Sequence, residues 1–249
     1  MNKKRIIIIG ATSSIAEHCA RLWAQRQEVE MTLVGRNQEH LERIATDLRV
    51  RSPNSGIHCL TTDFLEPEAI QGTVNALLAG GAADIVLIAH GSLPDQASCQ
   101  GDLQTARQAL EINGISPVLF AEAFANHMER SGKGSLVLIG SVAGDRGRKS
   151  NYVYGAAKGL VDRYAEGLQH RLAGSAVRVT LVKPGPTDTP MTAHLKGDGA
   201  KLAPVADVAS DIVQATDKGV PTLYTPRKWQ LIMCVIRHMP AMIFNKLNI

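Results

Sequence analysis

The sequence predicts a doubly wound parallel α/β sheet of about seven strands with helices on both faces, folded as a single domain. Short apolar runs alternate with helical patterns along nearly the whole chain, which is the signature of βα repeats feeding a parallel sheet. Several of the runs are apolar at consecutive positions, as strands buried on both faces are. A chain of 249 residues can bury a large core within one such domain, and it carries no internal repeat, low-complexity segment or linker.

The expected strands are Arg5–Ile9, Met31–Gly35, Gly56–Thr61, Asp84–Ala89, Ser135–Gly140, Val177–Val182 and Thr222–Thr225. The basic start and four isoleucines superficially resemble a signal peptide. The apolar run stops at Gly10, too short for that role, and reads as the first strand. Ile15, Cys19, Leu22 and Trp23 then fall at helical spacing. The Pro184–Pro204 stretch, rich in Gly, Pro, Thr and Asp, reads as a loop long enough to be a mobile lid, within which a short helix could form. The expected division is a sheet domain over 1–226 and a basic, apolar helical tail over 227–249 that is not an independent domain.

Apolar content of 45% and charged content of 20% are ordinary for a water-soluble globular protein. Cys19, Cys59, Cys99 and Cys234 are scattered without a C-x-x-C pair, so neither a metal site nor a disulfide framework is expected, and a reducing cytoplasm is the default. The net charge of +4 is uneven: Lys218, Arg227, Lys228, Arg237 and Lys246 follow the last acidic residue, Asp217, leaving the preceding residues near −1. That balance disfavours a nucleic-acid binder, whose basic patch belongs in the body of the domain.

Tyr154 and Lys158, four apart, share one face of a predicted helix. An ammonium beside a phenol lowers the phenol's pKa toward the range where it exchanges protons with an alcohol or ketone. Ser141 ends the run Ser135–Gly140, at the carboxyl end of a buried strand, where open α/β sheets bind ligands. Tyr152 lacks this partnership, since the residue four further on is Ala156. The pair alone is a weak signal that more often marks exposed helix residues; its context decides.

The first strand runs into Gly10-Ala11-Thr12-Ser13-Ser14-Ile15-Ala16, a tight turn into a helix N-terminus whose free amides suit a pyrophosphate. Ser14 and Ala16 stand where a glycine-rich loop has two more glycines; Ala16 is small enough for close packing, and Ser14 could cap the helix and bond a phosphate. The second strand ends Gly35-Arg36-Asn37, with no carboxylate for a ribose 2′-hydroxyl and a guanidinium suited to a 2′-phosphate; an arginine turned to solvent is the alternative. Asp63, next to Phe64, could accept a hydrogen bond from an adenine amine. The Ala89-His90-Gly91 turn lets backbone approach a cofactor closely. His90 reads either as a group titrating near neutrality or as a packed ring with one hydrogen bond.

With Gly10 to Ala16, Asp63, Asn113, Ser141, Tyr154, Lys158 and Pro184-Gly185 in this order, the chain resembles the short-chain dehydrogenase/reductase family from Ile6 to about Thr225. The resemblance implies a Rossmann-type NAD(P) domain, a ketone–alcohol reaction by hydride transfer, and a homodimer or homotetramer with the Asn113 and Tyr154 helices at the interface. It implies Tyr154 as the acid/base, Lys158 as ribose anchor and tuner of Tyr154, Ser141 as the hydrogen bond to the substrate oxygen, and Asn113 as the holder of a relay water. The cofactor set it implies, with the residues read above, comprises Gly10, Thr12, Ser13, Ser14, Ile15, Arg36, Asn37, Asp63, Phe64, Ala89, His90, Gly91, Tyr154, Lys158, Pro184, Gly185, Thr187 and Thr189, with NADP(H) favoured over NAD(H). Two departures touch cofactor contact: Ile88-Ala89-His90-Gly91 replaces the usual Asn-Asn-Ala-Gly, and the first loop lacks two glycines.

In the tail, Leu231, Ile232, Val235, Ile236 and Met239 recur at helical spacing, and Ile243, Phe244 and Leu247 follow Pro240, which can open a new helix. Arg237 and Lys246 interrupt the apolar stretches, so neither piece spans a bilayer. A helix pair packed on the body or on a second subunit, and an interfacial membrane segment with Trp229 and Phe244, both fit. The first loop, His90-Gly91 followed by Gln96, and this tail resemble the branch of decaprenylphospho-β-D-erythro-pentofuranosid-2-ulose 2-reductases. That branch implies a lipid-linked keto-sugar substrate and a cytoplasmic protein in peripheral contact with the inner face of a membrane. The alternatives are a soluble reductase of small carbonyl compounds and a non-catalytic NADP(H)-binding regulator, against which an intact Ser141 argues.

Overall fold

The computed structural model describes residues 3–194 and 201–247, and within them seven parallel strands form one sheet. The strands are β1 (Lys4–Ile9), β2 (Val29–Gly35), β3 (Gly56–Thr61), β4 (Ile85–Ile88), β5 (Lys133–Ile139), β6 (Ala176–Pro184) and β7 (Thr222–Thr225). Their order across the sheet is β3-β2-β1-β4-β5-β6-β7, so the winding reverses between β1 and β4.

The isoleucine run of β1 shows why both faces of the sheet are covered. Ile6 and Ile8 join one core cluster and Ile7 and Ile9 the other, as the two-residue period of a strand requires. The first cluster is completed by α1 (Ser14–Arg26), α2 (Gln38–Arg51) and, near the chain's end, Val208, Ala209, Ile212 and Val213. The second is completed by α3 (Pro67–Leu78) and two further helices reached after α4 (Gln96–Gly101) and α5 (Leu103–Leu110). These are α6 (Ser116–Ser131) and α7 (Tyr152–Leu172). Then come α8 (Val205–Lys218), which carries the Val208–Val213 contacts, and two tail helices, α9 (Lys228–His238) and α10 (Ala241–Phe244).

Boundaries differ from the sequence reading where pairing, not hydropathy, sets them. β2 begins at Val29 because Val29 and Glu30 pair with Lys4 and Arg5. β6 runs on through Lys183 and Pro184 because these pair with Tyr224 and Thr225. Pro240 takes the cap position of α10 instead of its first turn. Of the Pro184–Pro204 loop, residues 195–200 lie outside the described residues. The loop's two described ends are tied together, with Asp188 N–H donating to Ala203 O at 2.8 Å and Ala203 N–H to Pro186 O at 2.9 Å.

Candidate active site

Strand register gathers the predicted residues at one edge of the sheet. Ile9 lies opposite Ile88, Ile88 opposite Leu138, and Ile139 opposite Val182, so the residues leaving β1, β4, β5 and β6 emerge side by side. The reversal between β1 and β4 opens a crevice there. It holds a cleft of about 590 Å³, of the size that takes a cofactor.

One wall is the turn from Gly10 through Thr12, Ser13, Ser14 and Ile15. Gly10 has φ +80°, and a Cβ there would stand 2.5 Å from His90 N, so both backbone geometry and space require glycine. Ser13, not Ser14, is the N-cap of α1; Ser14 is the first helical residue, and no side chain caps the helix among the described residues. The first-turn amides of α1 therefore remain open toward the cleft, the arrangement that binds anionic phosphates. Arg36 lines the cleft, exposed and without an ion partner among the described residues. Asn37 does not line it: its Oδ1 accepts from His40 N–H at 2.9 Å and caps α2. Asp63 and Phe64 form the opposite wall, one Asp63 oxygen accepting from Leu65 N–H at 2.7 Å.

His90 behaves as a packed ring. Its Nε2 meets Ser116 Oγ at 2.8 Å, and Phe64 and Phe120 present edges at 4.8 and 5.7 Å. Burial, with the charges of Lys158 and Arg36, pushes its pKa down to about 3, so it is neutral at physiological pH.

A second, smaller cavity opens beside the cleft. Asn113, Ser141, Tyr154, Lys158, Pro184, Gly185, Thr187 and Thr189 all line it, and it shares Ala89, His90 and Gly91 with the cleft. Asn113 sits in a widened helical turn, Glu111–Ile115, between α5 and α6. Such π-turns recur at functional sites. Its amide is fully buried, with Ser92 N–H donating to Oδ1 at 2.8 Å and Nδ2 donating to Ala109 O at 2.9 Å. Ser141 Oγ accepts from Ala143 N–H at 3.1 Å. Thr187 Oγ1 donates to Gly185 O at 2.9 Å, and Thr189 Oγ1 lies 3.2 Å from Thr192 Oγ1.

The expected tuning of Tyr154 by Lys158 differs from what the geometry gives. Lys158 Nζ donates to Ile139 O at 2.9 Å and lies 5.9 Å from the Tyr154 ring centre. Burial dominates the phenol and pushes its pKa up to about 12, against a hydrogen bond from Ser141 that pulls it down. Burial also brings the Lys158 ammonium down to about 8. Burial thus favours the protonated phenol.

Residues 4–199 match the model of the short chain dehydrogenases, most of the chain. The chain belongs to the short-chain dehydrogenase family. It is an oxidoreductase acting on CH–OH groups with NAD(P), as that family is. An oxidoreductase of Streptomyces coelicolor is 29% identical over 98% of this chain and 96% of its own length. A short-chain dehydrogenase of Burkholderia cenocepacia solved with NADP superposes with a TM-score of 0.83 at 18% identity, covering 100% of this chain and 98% of its own. One from Sphingobium yanoikuyae in complex with NADPH gives 0.82 at 22% identity, over 98% and 96%. At such identities the structures attest the fold.

Behind the short-chain dehydrogenase site lies a buried ionic cluster that sequence reasoning missed. Asp162, one turn beyond Lys158 on α7, places Oδ2 2.8 Å from Lys183 Nζ, and Lys183 also pairs with Asp145. Tyr224 donates to Asp145 Oδ2 at 2.9 Å. Gly140 and Gly144 make room for the Asp162 carboxylate, since a Cβ on either would approach its oxygens to 2.9 and 2.5 Å. Burial raises Asp162 to about 6, while Lys183 and Lys158 hold it down. The available signal was a lysine ending the apolar run Val177–Val182.

The tail packs on the body and keeps an outward apolar face. Met233 is fully buried, Trp229 covers Gly185, and Arg146 donates to Ile236 O and Met239 O while stacking 3.8 Å over the Phe244 ring. Leu231, Val235, Met242 and Ile243 point outward, 54–81% exposed. No helix among the described residues is long and apolar enough to cross a membrane.

Proposed function

We propose that this short-chain dehydrogenase reduces a ketone to a secondary alcohol with NADPH, Tyr154 serving as the proton donor. The observation that carries the reading is one cavity holding a protonated phenol, a hydroxyl bonded to it and a buried ammonium. NADPH, when bound, supplies the hydride. Tyr154 gives its proton to the carbonyl oxygen; a phenol held well above neutral pH is already in the donor state. Ser141 donates to the same oxygen as charge develops on it, and its position is fixed by the Ala143 N–H. Lys158 anchors the cofactor ribose, and Asn113, rigid in its π-turn, helps to order a water chain through which the proton is replaced.

Support for the cofactor reading comes from the fit of the cleft: open α1 amides for the pyrophosphate, Gly10 where only hydrogen fits, and Asp63 for the adenine amine. Arg36 stands unpaired just after β2, where it would meet a 2′-phosphate, and favours NADP(H) over NAD(H). The substrate is a keto-sugar, lipid-linked, met at the inner face of a membrane. The basic tail with its outward Leu231, Val235, Met242 and Ile243 supports that reading, because such a face suits an anionic lipid surface. Exposed Leu110, Ile115 and Leu160 on the Asn113 and Tyr154 helices support a homo-oligomer closed through those helices.

The test is single-turnover oxidation of enzyme-bound NADPH by a panel of carbonyl compounds that includes pentuloses and small ketones. Loss of absorbance at 340 nm with at least one pentulose is expected; a panel without any oxidation contradicts the reading.

A further inference from the structure

Arg148 lines the same cavity as Ser141 and Tyr154, and its charge is unmatched. Other arginines of the chain reach carboxylates: Arg21 reaches Asp47, Arg26 reaches Asp217, Arg171 reaches Glu122. Arg148 has no acceptor among the described residues, and its Nε is shut off from solvent. Burial lowers its pKa, as it must for a cation losing water without gaining an anion. Arg148 is half-buried, and a buried N–H without an acceptor, as at its Nε, calls for a ligand or another explanation.

Asn151 gives a second, independent observation. It is the N-cap residue of α7, a position where an asparagine ordinarily accepts a first-turn N–H. Here its side chain caps nothing, and Oδ1 is buried without a donor. The Val153 N–H is taken by Gln96 Oε1 at 3.1 Å, from α4. Gln96 thus relieves Asn151 of capping, and Asn151 lines the cavity with Arg148. Leu93, Val142 and Met191 add apolar surface to the same cavity.

We propose that Arg148 and Asn151 form a substrate subsite: Arg148 binds an anionic oxygen, a phosphate or carboxylate, and Asn151 accepts a hydrogen bond from a substrate hydroxyl. The substrate class is a hydroxylated ketone carrying an acidic group within reach of its carbonyl. This deepens the reductase reading and rests on it for the carbonyl's position.

The experiment is calorimetric titration of the NADPH-loaded full chain with inorganic phosphate and, separately, acetate, for the wild type and Arg148→Met. At least one probe is expected to bind the wild type, and Arg148→Met to weaken it tenfold or more. Stronger phosphate binding marks a phosphate ester and stronger acetate binding a carboxylate. NADPH affinity is expected to stay within twofold, and the thermal midpoint of Arg148→Met to equal or exceed the wild type's, because a buried N–H without an acceptor has been removed. Equal probe binding by both proteins, or none by the wild type, overturns the subsite. So does weaker NADPH binding by the variant, which assigns the guanidinium to the cofactor, or a lower midpoint, which makes it structural. The readouts need no turnover: a wild type that binds phosphate but oxidises NADPH with no ketone refutes the reductase reading alone. D-Ribulose 5-phosphate and D-ribulose then form the matched pair, the preference for the phosphorylated one falling at least tenfold in Arg148→Met.

Discussion

Asp162 Oδ2 lies 2.8 Å from Lys183 Nζ, joining the helix that carries Tyr154 and Lys158 to the strand that ends at Pro184. Tyr154, Lys158 and Asp162 recur every four residues, so they line one face of α7 from the cavity into the core. The ionic cluster therefore fixes the helix that presents both groups, and it sets a negative charge behind the lysine.

That charge has a kinetic consequence. Burial brings Lys158 down to about 8, and Asp162 opposes the fall by favouring the ammonium. In Asp162→Asn the opposing charge is gone, so the lysine loses its proton at lower pH. The alkaline limb of the kcat/KM profile for carbonyl reduction is expected to move to lower pH; an unmoved limb shows that the lysine's proton is not what the profile reports.

Lys183 compensates two buried carboxylates, Asp145 and Asp162. Lys183→Met leaves both without their cation, and removing one partner of a buried pair costs about 3–5 kcal/mol. Urea denaturation at pH 7 is expected to show a loss of that order.

Trp229 holds the cofactor-side loop from the tail. A Cβ on Gly185 would stand 1.9 Å from its Nε1, so Gly185→Ala is expected to cost about 1–3 kcal/mol by overpacking. Trp229→Ala removes the obstacle, and a double-mutant cycle is expected to show the alanine at 185 costing much less in that background. Additive effects contradict the contact.

Arg36→Leu is expected to weaken NADPH binding by roughly ten- to a hundredfold, the worth of a charge-assisted hydrogen bond of about 1.5–3 kcal/mol, and to leave NADH binding unchanged. Fluorescence titration with both nucleotides measures it.

The sequence makes the sheet legible because isoleucine-rich strands buried on both faces leave little ambiguity, and because Ser141, Tyr154 and Lys158 stand in a spacing that few other constraints produce. What it hides is whatever depends on contacts distant in the chain. Asp162 reads as an ordinary helix aspartate until α7 packs on β6 and brings Lys183 beside it. Nothing in the sequence shows that Gln96, from a separate helix, takes the Val153 N–H at the start of α7. Asn37 reads as a neighbour of Arg36 at the cofactor until its side chain is spent on α2. The phenol's environment is hidden for a related reason: spacing places Lys158 on the right face, but the Ile139 carbonyl takes a hydrogen bond from Lys158 and burial dominates the Tyr154 phenol.

The central claim is that Tyr154 donates the proton. Single-turnover oxidation of bound NADPH by a reducible pentulose, in wild type and Tyr154→Phe, tests it most directly. The variant is expected to bind NADPH as the wild type does and to transfer hydride about 10²–10⁴-fold more slowly. Transfer at the wild-type rate by a phenylalanine at 154 would contradict the account.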